Sequence, residues 1–313
     1  MDTCGHRSPL PSGPPVVKLV LCTMLGFLAA CEVVTGDGPG QATPDATAPG
    51  EWTTLIEADW TLAPGSEDFV CVLHTIPNDV FIRAFRADAP EGTHHTVLTV
   101  TEPHGPDGAF PCDPGTLSDA MIYASGFGTD DLAFPDGVAI RVPAGKQLLL
   151  NLHLVNPYPT PLSGRSGTLV QTVSADEVVD EAEVVFAGTA DFAIPPNAEA
   201  SATGSCQFDQ DATLLSLWPH MHQHGRHMVV EHHGDHGVST LHDEPFSFYH
   251  QVNNRIEPML VRAGERIDVT CSWYNTSNET VVYGDTANKE MCYAGLYRYP
   301  ASRNGLYCDL APR

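Results

Sequence analysis

The sequence predicts an all-β chain built as two tandem antiparallel β-sandwiches of a jelly-roll-like kind, and three observations carry that expectation. Helix-period patterns of any length are scarce. Short runs of alternating and β-branched residues recur instead, bounded by Pro, Gly, Asn and Asp, with 27 glycines and 26 prolines to punctuate them. Third, Val142-Pro143-Ala144-Gly145-Lys146-Gln147-Leu148-Leu149-Leu150 is echoed by Val261-Arg262-Ala263-Gly264-Glu265-Arg266-Ile267-Asp268-Val269, each a glycine turn feeding a strand. The echo suggests two units of similar build that meet near the acidic stretch Asp176 to Glu183, and 313 residues is about the length of two domains.

The chain begins with a cationic Lys18, the apolar run Leu19 to Ala30, and Leu28-Ala29-Ala30-Cys31, which resembles a bacterial lipobox ending in the acylated cysteine. About twelve apolar residues fall short of the roughly 20 that cross a bilayer, so residues 1–31 read as a lipoprotein signal peptide. The expectation is a secreted chain, lipid-anchored through Cys31 to the bacterial cell envelope, on its periplasmic or cell-surface side, with no other membrane contact. Residues 32–50, rich in Gly, Pro, Thr, Ala and Asp, read as a flexible linker. Residues 51–178 and 179–313 are then the two sandwiches. Candidate strands are Val80 to Arg86, Thr96 to Thr101, Gln147 to Val155, Thr168 to Val173, Glu183 to Phe186, Thr213 to Trp218, His227 to His232, Arg266 to Trp273 and Thr280 to Tyr283.

A net charge of -24 with only 15 Lys+Arg argues against nucleic acid as a partner, because such binding neutralises phosphates with basic side chains. Beyond the signal peptide six cysteines remain: Cys71, Cys112, Cys206, Cys271, Cys292 and Cys308. An even number in an exported chain implies disulfides, and arithmetic leaves 15 connectivities open. Their spacing lacks CxxC pairs, which weakens a structural zinc site.

Three short motifs offer metal ligands. In Trp218-Pro219-His220-Met221-His222-Gln223-His224-Gly225, His220 and His222 stand at i and i+2, on one side of a strand. Adjacent His94 and His95 would face opposite ways in a regular strand and could share an ion only at a bulge or strand end, which Gly92 makes plausible. In the third motif, Leu148, Leu150, Leu152 and Leu154 form one face of a strand, and His153 shares the other with Leu149, Asn151 and Val155. Met291 adds a thioether, a ligand that favours Cu(I) and that zinc would not need. A three-His set and a two-His-one-Met set together describe two inequivalent copper centres, one per sandwich. His224 is the candidate to support the second. His227, His232, His233, His236, His242 and His250 read as a polar hairpin beyond it.

These residues resemble, in order along roughly residues 55 to 310, the copper type II ascorbate-dependent monooxygenases, the family of peptidylglycine α-hydroxylating and dopamine β-monooxygenases. The resemblance rests on Thr93-His94-His95-Thr96-Val97-Leu98, His153, Ala193-Ile194-Pro195-Pro196, His220 to Gly225, Cys271-Ser272-Trp273-Tyr274-Asn275-Thr276, Glu290-Met291-Cys292-Tyr293 and Tyr297-Arg298-Tyr299-Pro300. It implies the pairs Cys71 with Cys112, Cys206 with Cys308, and Cys271 with Cys292. It also implies two copper ions, an electron-storing one on His94, His95 and His153 and an O2-activating one on His220, His222 and Met291, the catalytic set. The activity implied is hydroxylation of a C–H bond of a small-molecule or peptide-like substrate, with an external reductant such as ascorbate supplying two electrons.

The peptide-amidating branch of that family has an Arg two residues before the first His of the HxH motif and a Tyr four residues after the Met. Trp218 and Gly295 occupy those places here. A peptide carboxylate would lose its guanidinium partner, and Trp218 with Tyr293 marks a pocket for a more apolar or aromatic substrate. The reading from another class is a noncatalytic copper-binding or storage lipoprotein on the cell surface.

Overall fold

The computed structural model describes residues 50–308 other than 118, 119, 127, 128, 249, 285, 287 and 304. The expected signal peptide with Cys31, and the expected linker up to residue 49, lie outside the described residues. What is described belongs to the unit Pro49–Arg313, and its only helical turn is a short 3-10 segment, Ala175–Glu177.

The first half contributes β1 (Thr53–Leu62), β2 (Glu67–Thr75), β3 (Val80–Asp88), β4 (Thr93–Thr101), β5 (Gly108–Pro111), β6 (Ala120–Gly126), β7 (Leu132–Ala133), β8 (Val138–Val142), β9 (Gln147–Val155), β10 (Leu162–Val173) and β11 (Asp180–Glu181). They form one sheet in the order β1-β10-β3-β8-β11, with β7 beside β3, and a second in the order β5-β2-β9-β4-β6. The second half contributes β12 (Glu183–Gly188), β13 (Ala193–Ile194), β14 (Glu199–Gln207), β15 (Ala212–His220), β16 (Gly225–Gly234), β17 (Gly237–Pro245), β18 (Asn254–Val261), β19 (Arg266–Tyr274), β20 (Val281–Val282) and β21 (Tyr293–Tyr299). Its main sheets run β12-β21-β15-β18 and β14-β19-β16-β17, and β13 pairs with β20. Every ladder is antiparallel except the short pairing of β11 with β8.

With the short strands β5, β7, β11, β13 and β20 set aside, both halves have one strand order. The first, eighth, third and sixth strands form one sheet, and the second, seventh, fourth and fifth form the other. The sequence echo falls at the same place in each. Gly145 (φ 79°) turns β8 into β9, and Gly264 (φ 90°) turns β18 into β19, a backbone region open to glycine at no steric cost. An aspartate caps each turn: the Ala144 N–H donates to Asp79 at 2.7 Å and the Ala263 N–H to Asp211 at 2.8 Å.

Alternation along the strands decides what is core and what is site. Leu148, Leu150, Leu152 and Leu154 of β9 join Phe85, Leu98 and Tyr123 in the core between the first half's sheets. Met228, Val230, Ile267, Val269 and Leu296 belong to the core of the second. A smaller cluster of Val97, Ala124, Phe186, Trp218 and Tyr293 joins the outer face of β4 and β6 to β12, β15 and β21. The candidate ligands lie along this seam.

Candidate metal centres

His95 on β4 pairs directly with His153 on β9, and the register slips between Thr93 and His95. The slip is a bulge at His94, and it lets neighbouring histidines turn to one side of the strand. The Nδ1 atoms of His94 and His95 lie 3.0 Å apart, those of His94 and His153 3.1 Å, and those of His153 and His95 3.3 Å. A triangle of that size leaves a common point about 2 Å from all three nitrogens, the usual metal–imidazole distance, and this cluster could hold a metal ion. The other ring nitrogen of His153 donates to Glu67 at 2.6 Å, so Nδ1 carries the lone pair. Phe69 stacks on the same ring at 4.4 Å. Burial holds His94 down at about 4 and His95 well below its ordinary value, and it lowers His153 against the pull of Glu67. All three are neutral, ligand-competent imidazoles at neutral pH.

His220 ends β15, and His222 follows in the turn toward β16. Gln251 accepts the Nδ1–H of His220 at 2.8 Å, and the Lys289 carbonyl accepts that of His222 at 3.1 Å. Both rings therefore present Nε2 as acceptor, with centroids 5.3 Å apart and planes at 85°. Burial takes His220 down to about 3. Met291 stands just before β21, and its neighbour Cys292 is bonded to Cys271 of β19. The remaining disulfides are Cys71–Cys112 and Cys206–Cys308, so all three pairs are those the family resemblance implies.

One cavity of about 220 Å³ is lined by both sets, His94, His95 and His153 with His220, His222 and Met291. Phe248 stands between them, 5.7 Å from the ring of His94 and 6.4 Å from that of His222. It is carried by the β17–β18 connection, which is fastened to the first half. Asn253 donates to the Ala124 carbonyl at 3.0 Å, and the Gln251 carbonyl packs so closely on Gly126 that a Cβ there would approach it to 2.5 Å.

A family model, that of the C-terminal domain of copper type II ascorbate-dependent monooxygenases, matches residues 180–310, the half that carries His220, His222 and Met291. Residues 180–310 belong to that family. No curated protein matches it. Among solved structures, dimeric latent PorU from Porphyromonas gingivalis is similar at a TM-score of 0.20 and 8% identity, over 75% of this chain and 24% of that one. The infectious bursal disease virus Gx strain protein gives 0.20 and 11%, over 83% and 75% of the two chains. Vicilin from Solanum lycopersicum (tomato) gives 0.16 and 9%, over 79% and 75%.

Within this half of the chain the two departures from the amidating pattern are cross-strand partners. Trp218 on β15 stands opposite Gly295 on β21, and a Cβ at Gly295 would meet the indole at 3.4 Å and Phe186 at 3.5 Å. The glycine makes the floor on which the indole rests, and Trp218 in turn stacks on His220 at 5.0 Å. Both Trp218 and Tyr293 line the cavity, with Phe186 and Tyr307 beside them, and no lysine or arginine is among the described lining residues.

Sequence inspection does not single out Glu67, Phe248, Gln251 or Glu290 as working residues. Glu67 and Gln251 reach their histidines from distant segments, and no local pattern announces them. Glu290 was legible only as the neighbour of Met291. It is fully buried, and burial pushes its carboxyl up from the ordinary value against several N–H donors that pull it down. His224, the expected support for the second set, does not line the cavity. What it supplies is a main-chain N–H, donated to Glu290 at 2.6 Å. The histidine-rich hairpin of β16 and β17 pairs outward, His232 with Glu265 and His233 with Asp268.

Proposed function

We propose that this chain is a copper-dependent monooxygenase that hydroxylates a C–H bond of a compact, uncharged, apolar or aromatic substrate, using O2 and an external reductant such as ascorbate. The observation that carries the reading is the meeting of two three-donor sets, His94/His95/His153 and His220/His222/Met291, on one cavity. In this reading each half is a jelly roll contributing one copper site. The chain is exported and held to the cell envelope through Cys31.

Copper would supply electron storage at the three-histidine set and O2 activation at the set with the thioether, which stabilises the reduced ion. The protein's own contribution is arrangement. Glu67, Gln251 and the Lys289 carbonyl fix three imidazole tautomers, so each ring offers a lone pair without rearrangement. Phe186, Trp218, Tyr293 and Tyr307 form an apolar wall beside Met291 that excludes water from the reacting C–H bond. A peptide carboxylate finds no cationic partner on that wall.

Metal analysis should find about two coppers per chain, with His153→Ala and Met291→Ala each removing a different one. Copper-loaded protein with ascorbate should consume O2 when a suitable compound is added, and the product should gain the mass of one oxygen atom. Full copper loading of both single variants would remove the ligand assignment. Copper uptake without O2 consumption across a panel of apolar substrates would leave the copper-storage reading in its place.

A further inference from the structure

Glu290 is a buried carboxylate with four N–H groups aimed at it. The main-chain N–H of His222 donates to Oε2 at 2.9 Å, that of His224 to Oε1 at 2.6 Å, that of Met291 to Oε2 at 3.3 Å, and the indole N–H of Trp273 to Oε2 at 3.0 Å. Three segments meet on this one group: the turn after β15 that carries His222, the strand β19 that carries Trp273 and Cys271, and the approach to β21 that carries Met291. The side chain has 0% exposure, and among the described residues no lysine, arginine or histidine forms an ion pair with it.

A buried carboxylate without a cationic partner is costly unless an ion compensates it. The donor set beside it consists of two neutral imidazoles and a neutral thioether, so a bound copper would bring uncompensated positive charge into the same region. We infer that Glu290 is the counter-charge and positioning residue of the His220/His222/Met291 site: it ties the histidine turn to the methionine and supplies the negative charge that a cation there requires. The inference rests on the metal-centre reading above. An anion near the site favours Cu(II) over Cu(I) and so opposes the preference of the thioether.

The test is Glu290→Gln, nearly isosteric and uncharged, in the full chain, with affinities for Cu(I) and Cu(II) measured separately by chelator competition and the site potential by spectroelectrochemistry. The expected result is a loss of Cu(II) affinity of about 10- to 100-fold, a smaller loss for Cu(I), and therefore a raised reduction potential. Equal losses for both oxidation states would reduce Glu290 to a structural brace and overturn the inference, as would no change in either. Trp273→Phe, which removes one hydrogen bond and keeps the charge, should leave the Cu(II)/Cu(I) affinity ratio as in the parent. A shift in that ratio as large as that of Glu290→Gln would also overturn it. If Glu290→Gln does not fold, infrared spectra of the copper-loaded parent, with and without carbon-13 glutamate, decide the point: a carboxylate band from a buried glutamate supports the inference, and a protonated carboxyl band overturns it. A parent protein that takes no copper on a sulfur ligand defeats the metal-centre reading itself, which the variant comparison cannot do.

Discussion

Single side chains divide here into those that offer a lone pair and those that decide which lone pair is offered. Glu67 belongs to the second kind, holding the Nε2–H of His153 at 2.6 Å from a segment 86 residues away in sequence. Glu67→Gln should weaken copper binding at the three-histidine set about 10- to 100-fold while leaving the His220/His222/Met291 set unchanged. Isothermal titration with a site-selective variant such as Met291→Ala as background reads this directly, and loss at both sets would contradict it. Trp218 acts by volume: Trp218→Ala should widen the cavity beside His220 and relax discrimination by size, seen as larger apolar substrates gaining in kcat/KM over small ones. Ligand residues were legible in the sequence because histidine pairs and a Met-Cys pair are rare local patterns. Glu67, Gln251 and Phe248 were not, because their meaning exists only once strands from distant segments are paired.

At the scale of elements, the turn after β9 and the turn after β19 share an asparagine that does the same work twice. Asn156 donates to the carbonyls of Ala63 and Thr160 at 2.8 and 2.9 Å, and its own oxygen accepts the Tyr158 N–H at 3.0 Å. Asn275 donates to Pro195 and Glu279 at 2.9 and 2.8 Å, and its oxygen accepts the Ser277 N–H at 2.9 Å. Both are buried, so Asn275, which begins an Asn-x-Ser pattern, is a turn-builder with no room for a sugar. Replacing either by alanine leaves part-buried carbonyls and an N–H without their partner and should cost about 1 kcal/mol, measured as a lowered denaturant midpoint with unchanged slope. The two variants should lose similar amounts. The glycine-turn echo made this repetition visible in the sequence, whereas β2 and β21, which lack a clean alternation, were not anticipated, and neither were β1 and β14, which do alternate. Candidate strands such as Gln147 to Val155 matched because one face is a run of leucines.

For the molecule as a whole, the buried histidines set a pH dependence. An unfolded histidine titrates near 6.5, whereas His94 stays neutral down to about 4 and His220 to about 3. Between those values the unfolded chain binds more protons than the folded one, so the metal-free protein should lose stability as pH falls from about 6.5 toward about 3. Denaturant unfolding of the apo-protein across that range should show it, and His94→Ala with His220→Ala should flatten the slope. A second expectation concerns the seam: Gly126→Ala places a Cβ 2.5 Å from the Gln251 carbonyl, and should push the β17–β18 connection away from the cavity. Faster removal of bound copper by a small chelator would report that displacement.

The fastening of that connection has a mechanical meaning. Gln251 is rooted in the second half and pressed on the first, yet its amide oxygen is what decides which nitrogen of His220 is free. Any hinge-like parting of the two halves must pull on the same short loop, and His220 would then lose its partner and regain the freedom to rotate and change tautomer. A parting of the two halves would thus be read out as a change of tautomer at a single imidazole.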